Sequence, residues 1–248
     1  MVSHSNSYIL PTWPAPVSVF ACVSTRIGGV SNVPFDGLNL GLHVDDDPAA
    51  VNQNRQLFAS YIDMPDSATW LNQVHGIDIV QLPCDSLLKS ADAATTRTIN
   101  QVCAVLTADC LPVFFCDQSG TQVAVAHAGW RGLCAGVLES TLAQFDEKDD
   151  VMAWLGPAIG PSAFEVGDDV REAFLLEDSE AALAFRPSQQ PGKWLADLYQ
   201  LARQRLLSAG IKQVYGGDYC TFTESERFFS YRRDGMTGRM ASVIWLKE

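Results

Sequence analysis

The sequence has 248 residues, 47% of them hydrophobic and 19% charged, with a formal net charge of −12. A chain of this kind can bury a sizeable core, but it lacks the dense Lys/Arg surface of a nucleic-acid grip and any run of about 18 apolar residues that would span a membrane. No basic residues precede an apolar stretch near Pro11, Pro14 and Pro16, which argues against a secretory signal, and a cytoplasmic protein is expected.

In chain order, residues 17–23 (VSVFACV) predict a first strand that closes at Arg26 and the pair Gly28 and Gly29. Residues 32–44 form a long loop rich in Pro, Gly and Asn that holds side chains outward. Asp47 then supplies an N-cap with Pro48 at the first helical position, and Val51, Asn54 and Phe58 recur at helical spacing as far as Met64 and Pro65. Residues 69–74 and 77–82 are two short strand candidates around Gly76, a turn that exposes His75. Residues 92–96 are polar and small and lead into apolar bursts at 102–106, 113–116 and 123–126, which read as buried strands.

A helix is predicted over 132–145, a strand over 151–155 and helices over 168–176 and 194–208, the last two joined by a mobile loop at 187–192. Strands or fragments follow at 214–215, 228–230 and 241–246. There is no internal repeat, low-complexity tract or long linker. The irregular alternation of strands and helices, with several adjacent strand pairs, predicts a mixed α+β or layered α/β fold.

The seven cysteines lack CxxC spacing and sit mostly in apolar runs, where Cys acts as a small hydrophobe. Cys110 differs, since Asp109 precedes it and Pro112 follows closely. His4 falls in a polar, disordered terminus, and His43 reads as a hydrogen-bonded structural residue. His75 and His127, in contrast, each have glycine within two positions, which lets a ligand approach the backbone.

His75, Cys110 and His127 each stand at or just past a strand-like segment, and they are expected to converge. One thiolate and two imidazoles suit Zn²⁺ with a vacant fourth position, while Cys110 and His127 also suit a nucleophile and base. Copper is the weaker metal choice, with no axial methionine motif. A pocket could also gather a few arginines against the acidic background, from Arg26, Arg55, Arg131, Arg232 and Arg233.

The stretches NLGLHVDDDPAAVNQNR, LNQVHG, LTADCLPVFF, VAVAHAGWRG, WLGPAIG and FFSYRRDGMTGR, in that order, carry a resemblance. The chain, from about Val19 to Leu246, closely resembles the bacterial laccase-domain family, once called multicopper polyphenol oxidoreductases and now regarded as purine nucleoside phosphorylases with adenosine deaminase side activity. The resemblance implies a single four-layer α/β/β/α sandwich domain with mixed sheets over residues 1–248, with 1–16 extended or poorly ordered. It also implies a zinc site of His75, Cys110 and His127.

For activity, the resemblance implies phosphorolysis of adenosine, inosine and methylthioadenosine to base and sugar 1-phosphate, and hydrolysis of adenosine to inosine. Arg131 and Arg55 are then expected to contact phosphate or nucleoside, Asn39 to line the cleft, and Asp109 to orient a metal ligand. The bacterial branch also suggests an alternative, an amidase that removes L-Ser from a UDP-MurNAc precursor through the metal or a Cys110/His127 dyad. Copper-dependent polyphenol oxidation and a module with a structural zinc are further alternatives. Nucleic acid and membrane are not expected partners.

Overall fold

The computed structural model describes residues 6–84 and 90–248; His4 lies outside them. The chain runs β1 (Tyr8–Ile9), β2 (Val19–Ser24), α1 (Pro48–Tyr61), β3 (Ile79–Leu82), β4 (Ala93–Thr96), β5 (Cys103–Thr107), β6 (Leu111–Asp117) and β7 (Val123–Ala128). It continues through α2 (Trp130–Ala135), α3 (Val137–Leu142), β8 (Val151–Leu155), β9 (Glu165–Gly167), α4 (Asp168–Glu177), β10 (Phe185–Pro187) and β11 (Lys193–Ala196). The last elements are α5 (Leu198–Ser208), β12 (Gln213–Gly216), α6 (Tyr231–Asp234) and β13 (Met240–Leu246).

Two large sheets stack face to face. One has the order β1-β2-β13-β5 and is antiparallel throughout; the other, β12-β8-β6-β7-β4-β3, is mixed, with parallel pairs at β12/β8 and β3/β4. Period-two alternation assigns the faces. Val23, Val105 and Ile244 point to the layer between the sheets, where they meet Phe114, Val125 and Trp154 of the larger sheet. Their neighbours Cys22, Ala104 and Val243 point the other way, onto Phe58 and Ile62 at α1. Val113, Phe115 and Ala124 turn outward from the larger sheet onto Leu138, Leu201 and Leu206 of α3 and α5. The order of layers is therefore helix, sheet, sheet, helix, as expected, and the family's mixed sheet is the six-stranded one.

Local signals explain most elements. Asp47 caps α1, its Oδ1 accepting from Ala49 N at 2.9 Å, with Pro48 at the start of the helix. The single helix expected over 132–145 is two, because Gly136 takes φ +103° between α2 and α3. The helix expected from 194 begins at Leu198: residues 193–196 are paired on both sides by β9 and β10, and Asp197 caps α5 by accepting from Gln200 N. Residues 69–74 hold only isolated bridges, from Thr69 to Cys103 and from Asn72 to Ser90. Residues 228–230 are a buried approach to α6, not a strand, and 93–96, read as polar and small, form a fully buried one. No helix among the described residues is long and apolar enough to cross a membrane.

Candidate metal centre and cavity

The chain crosses from the smaller sheet to the larger one between β5 and β6, and Cys110 sits in that crossing. Asp109 before it has φ +88°, a conformation costly for a residue with a side chain. The crossing is pinned from three sides: Asp109 Oδ1 accepts from Thr221 Oγ1 at 2.7 Å, Oδ2 from Arg232 N at 2.6 Å, and Asp109 O from Ile159 N at 2.9 Å. His127 is the penultimate residue of β7, so its ring emerges at the same end of the sheets.

His75, with φ +60°, is held by a carboxylate more than sixteen residues further along the chain. Asp92 is fully buried, and its two oxygens accept from Val74 N (3.1 Å), His75 N (2.9 Å) and Gly76 N (2.7 Å). Its Oδ1 also lies 2.8 Å from His127 Nδ1. One carboxylate thereby fixes the turn that carries the first histidine and the ring of the second. Because an ionised carboxylate only accepts, His127 carries its proton on Nδ1 and leaves Nε2 toward the cluster.

The ligand atoms of His75, Cys110 and His127 all lie within 4.8 Å of one another, with Cys110 Sγ 4.0 Å from His75 Nε2. The two imidazoles meet edge to face, centroids 4.8 Å apart. Burial alone would raise the Cys110 thiol, but His127 and His75 outweigh it and bring it down to about 6. Burial would lower His127, yet the Cys110 sulfur and the Asp92 carboxylate bring it up to about 9. Burial would likewise raise Asp92, whereas the His127 ring and the Gly76 amide hold it below its ordinary value.

This donor set fits a metal ion. Bonds of about 2.0–2.3 Å at tetrahedral angles separate ligand atoms by roughly 3.5 Å, so side-chain shifts of about an ångström would draw the three donors, now 4.0 Å apart for one pair and within 4.8 Å overall, onto an ion. His127 is buried, Cys110 half-buried and His75 exposed, so the cluster is open on one side. That side faces a cavity of about 820 Å³, within the range of small-molecule sites. Its walls combine Trp70, Phe164 and Tyr231 with the guanidinium groups of Arg55, Arg232 and Arg239.

A family model described as multi-copper polyphenol oxidoreductase laccase matches residues 20–247. The chain belongs to this family. It is 58% identical to the purine nucleoside phosphorylase YfiH of Escherichia coli strain K12, over 97% of this chain and 99% of that one. It is 52% identical to the purine nucleoside phosphorylase PA4543 of Pseudomonas aeruginosa, over 98% and 100%. Among solved structures, Neisseria meningitidis protein NMB0706 superposes with a TM-score of 0.92 at 49% identity, covering 98% of this chain and all of that one. YlmD from Geobacillus stearothermophilus does so with 0.88 at 33% identity, over 95% and 94%.

In this laccase-like chain the structure brings His75, Cys110 and His127 together and puts Arg55 in the cavity wall. The other expected contacts fall elsewhere. Arg131 is exposed, stacked on its neighbour Trp130 at 4.4 Å, and is not among the wall residues, because it lies on the outward face of α2. Asn39 is fully buried and is not among the residues lining the cavity; its Oδ1 accepts from Gly41 N and Arg239 N, so it shapes the wall from behind. Asp109 lines the cavity, but the carboxylate on His127 is Asp92. Arg26 and Arg233 are committed to Asp36 and Asp234. His43, expected to be a hydrogen-bonded structural residue, stands in the wall, as does Arg239, to which no local sequence pattern points.

Gly129, directly after β7, gives the ligands their room. A Cβ there would lie 2.8 Å from His75 Cδ2 and 3.1 Å from Cys110 Sγ. Its φ of −62° suits any residue, so Gly129→Ala tests space alone. The expected result is a folded protein that binds its metal roughly tenfold or more weakly, read by competition with a chromophoric chelator. Unchanged affinity would mean that the ligands do not crowd this position.

Proposed function

We propose that this chain is a metal-dependent purine nucleoside phosphorylase that holds Zn²⁺ through His75, Cys110 and His127. The observation that carries the reading is the opening of that cluster onto a cavity with both aromatic and guanidinium walls. The names of the relatives at 52–58% identity support it. One thiolate and two imidazoles with an open side match a catalytic zinc site better than a structural one, which has four protein ligands. Oxidation by several coppers would need further ligand clusters, and His75, Cys110 and His127 form the one such group among the described residues.

When bound, the metal supplies a Lewis acid at the cavity floor. The protein's own groups do the rest: Asp92 keeps His127 in one tautomer, Cys110 offers a thiolate at neutral pH, and the aromatic walls offer flat faces to a purine. In phosphorolysis a phosphate oxygen bonds to C1′ of the ribose while the C1′–N9 bond breaks. The electron pair leaves with the purine, which takes up a proton, and the sugar departs as its 1-phosphate. Adenosine deamination at the same centre is a companion activity. Cys22, Cys103, Cys110, Cys116, Cys134 and Cys220 are unpaired thiols, which suits work in the cytoplasm.

Incubation with inosine, with and without phosphate, tests the reading. Hypoxanthine and ribose 1-phosphate are expected only when phosphate is present. Release that ignores phosphate would make the enzyme a nucleoside hydrolase instead. The adjacency of Cys110 and His127 also suits a thiol nucleophile and its base, and this supports an amidase acting on a UDP-MurNAc precursor as the second reading. Absence of base release, together with free serine from UDP-MurNAc-L-Ser, would put that reading first.

A further inference from the structure

Among the described residues, five arginines of this acidic chain are ion-paired, while Arg131, Arg171, Arg186 and Arg203, outside the cavity, are not. Arg26, Arg97, Arg205, Arg227 and Arg233 each meet a carboxylate within 3.0 Å. Arg55, Arg232 and Arg239, the three in the cavity wall, have no carboxylate partner among the described residues. Partly dehydrated cations with no direct ion-pair partner are costly unless an anion completes them.

Two of the three converge on one turn. Arg55 Nε and Nη2 both donate to Leu40 O, at 3.0 and 2.9 Å, with the guanidinium 4.0 Å above the Trp70 ring. The Arg239 stem passes Gly41 so closely that a Cβ there would lie 2.8 Å from Arg239 Cγ, and 3.4 Å from His43 Cε1. Asn39 Oδ1 fixes Arg239 N, and Arg239 Nη1 donates to Thr237 O and Gly238 O. Arg55 Nη1 and Arg239 Nη2 are left without a hydrogen-bond partner among the described residues.

Burial pushes Arg55 down to about 10, still cationic at neutral pH. Burial and then the charges of Arg239 and Arg55 lower His43, placing its ring near both. Arg232 is different: it gives Nη1 to Glu165 O and lies over the Phe164 ring, 5.4 Å from its centroid. The charges of Cys110 and Asp109 act on Arg239 from across the cavity, but neither forms an ion pair with it.

We propose that Arg55 and Arg239, with His43 beside them on the turn at residues 40–43, form the seat for inorganic phosphate in this cavity. The inference rests on the phosphorylase reading for its ligand, and on the unpaired guanidiniums for its place. Forked N–H donors match phosphate oxygens, and stacking on Trp70 holds one fork in position. Asn39 is then a positioning residue that acts through Arg239. Arg131 is outside the seat.

The test compares Arg55→Gln, Arg239→Gln and Arg131→Gln by the phosphate KM in inosine phosphorolysis and by calorimetric titration of inorganic phosphate. Each cavity variant is expected to raise the phosphate KM and Kd roughly 10- to 100-fold, with the inosine KM changed far less. Arg131→Gln should leave both phosphate constants unchanged. Arg55→Lys and Arg239→Lys keep the charge but lose the fork, and should fall between; they serve if a Gln variant fails to fold.

Unaltered phosphate constants in both cavity variants, or an equal rise in Arg131→Gln, would overturn the seat while leaving phosphorolysis intact. Phosphate binding that needs both arginines in a protein that cleaves no nucleoside would overturn the phosphorylase reading and keep the seat. A nucleoside diphosphate that alone shows the arginine dependence would assign the seat to a phosphorylated ligand and overturn the choice of inorganic phosphate.

Discussion

Replacing Cys110 by alanine is expected to leave less than about a tenth of the metal bound and to lower phosphorolysis at least 100-fold, beyond the 10- to 100-fold typical of groups that only support a ligand. The sulfur is the one donor of the cluster that can carry a full negative charge, and its two imidazole neighbours already hold its pKa at about 6. Removing it leaves two neutral nitrogens to retain a dication. Serine keeps the shape, but its hydroxyl stays protonated at neutral pH, so Cys110→Ser should behave like the alanine variant.

The fold should survive either change, because Cys110 is only half-buried and its crossing is pinned by Asp109 through Thr221, Arg232 and Ile159. Cys103→Ala supplies the contrast. That sulfur packs between the two sheets, its pKa raised by burial, and is not part of the His-Cys-His group, so its loss should cost stability and no metal. Elemental analysis of the three variants separates the cases. Stoichiometric metal in Cys110→Ala would remove the cysteine from the ligand set.

Residue type and local pattern made the His-Cys-His cluster legible and left its support hidden. His75, Cys110 and His127 each sit beside a strand-like burst, the two histidines also within two positions of a glycine, and Gly129 does clear the space that such a neighbour suggests. Asp92 gave no such sign. Its importance lies in the amides of residues 74–76 and the ring of His127, contacts that exist only once β4 and β7 are paired. The same pairing turned residues 93–96 into a buried strand despite two threonines, whose hydroxyls are satisfied by Val123 O and Leu82 O.

Arg131 lies near His127 in sequence, but β7 ends at Ala128 and the helix that follows turns the side chain outward. Arg239 reaches the cavity from just before β13, at the far end of the chain, because β13 pairs with β5 and sets Met240 opposite Thr107. No local spacing carries that information. The layer order, in contrast, was implied by the family motifs, and the two-residue alternation in β2, β5 and β13 accounts for it physically.

Changing Asp92 to asparagine should damage metal binding without touching a ligand. The side chain would keep one acceptor oxygen where two now serve three amides and an imidazole, and its NH₂ would face donors. The 74–76 turn loosens, His127 loses the partner that holds its proton on Nδ1, and metal affinity should drop roughly 10- to 100-fold. Stability should fall by about 1–3 kcal/mol, the usual cost of leaving buried donors unmet.

The pH dependence tells a charged acceptor from a merely well-packed one. Asp92 in the folded protein titrates below its ordinary value, so on acidification the unfolded chain takes up the proton first. Its contribution is therefore complete above the ordinary carboxylate range, near pH 4, and is lost as the pH falls through the lower folded value. Asparagine has no such titration. The raised His127 adds a contribution that is complete only below the ordinary imidazole value and fades toward about pH 9. In metal-free protein, the stability gap between wild type and Asp92→Asn, measured by urea unfolding, should therefore be widest near about pH 5 and should narrow toward about pH 3. A gap that stays constant over that interval would show that Asp92 supports the two histidines by its shape and not by its charge.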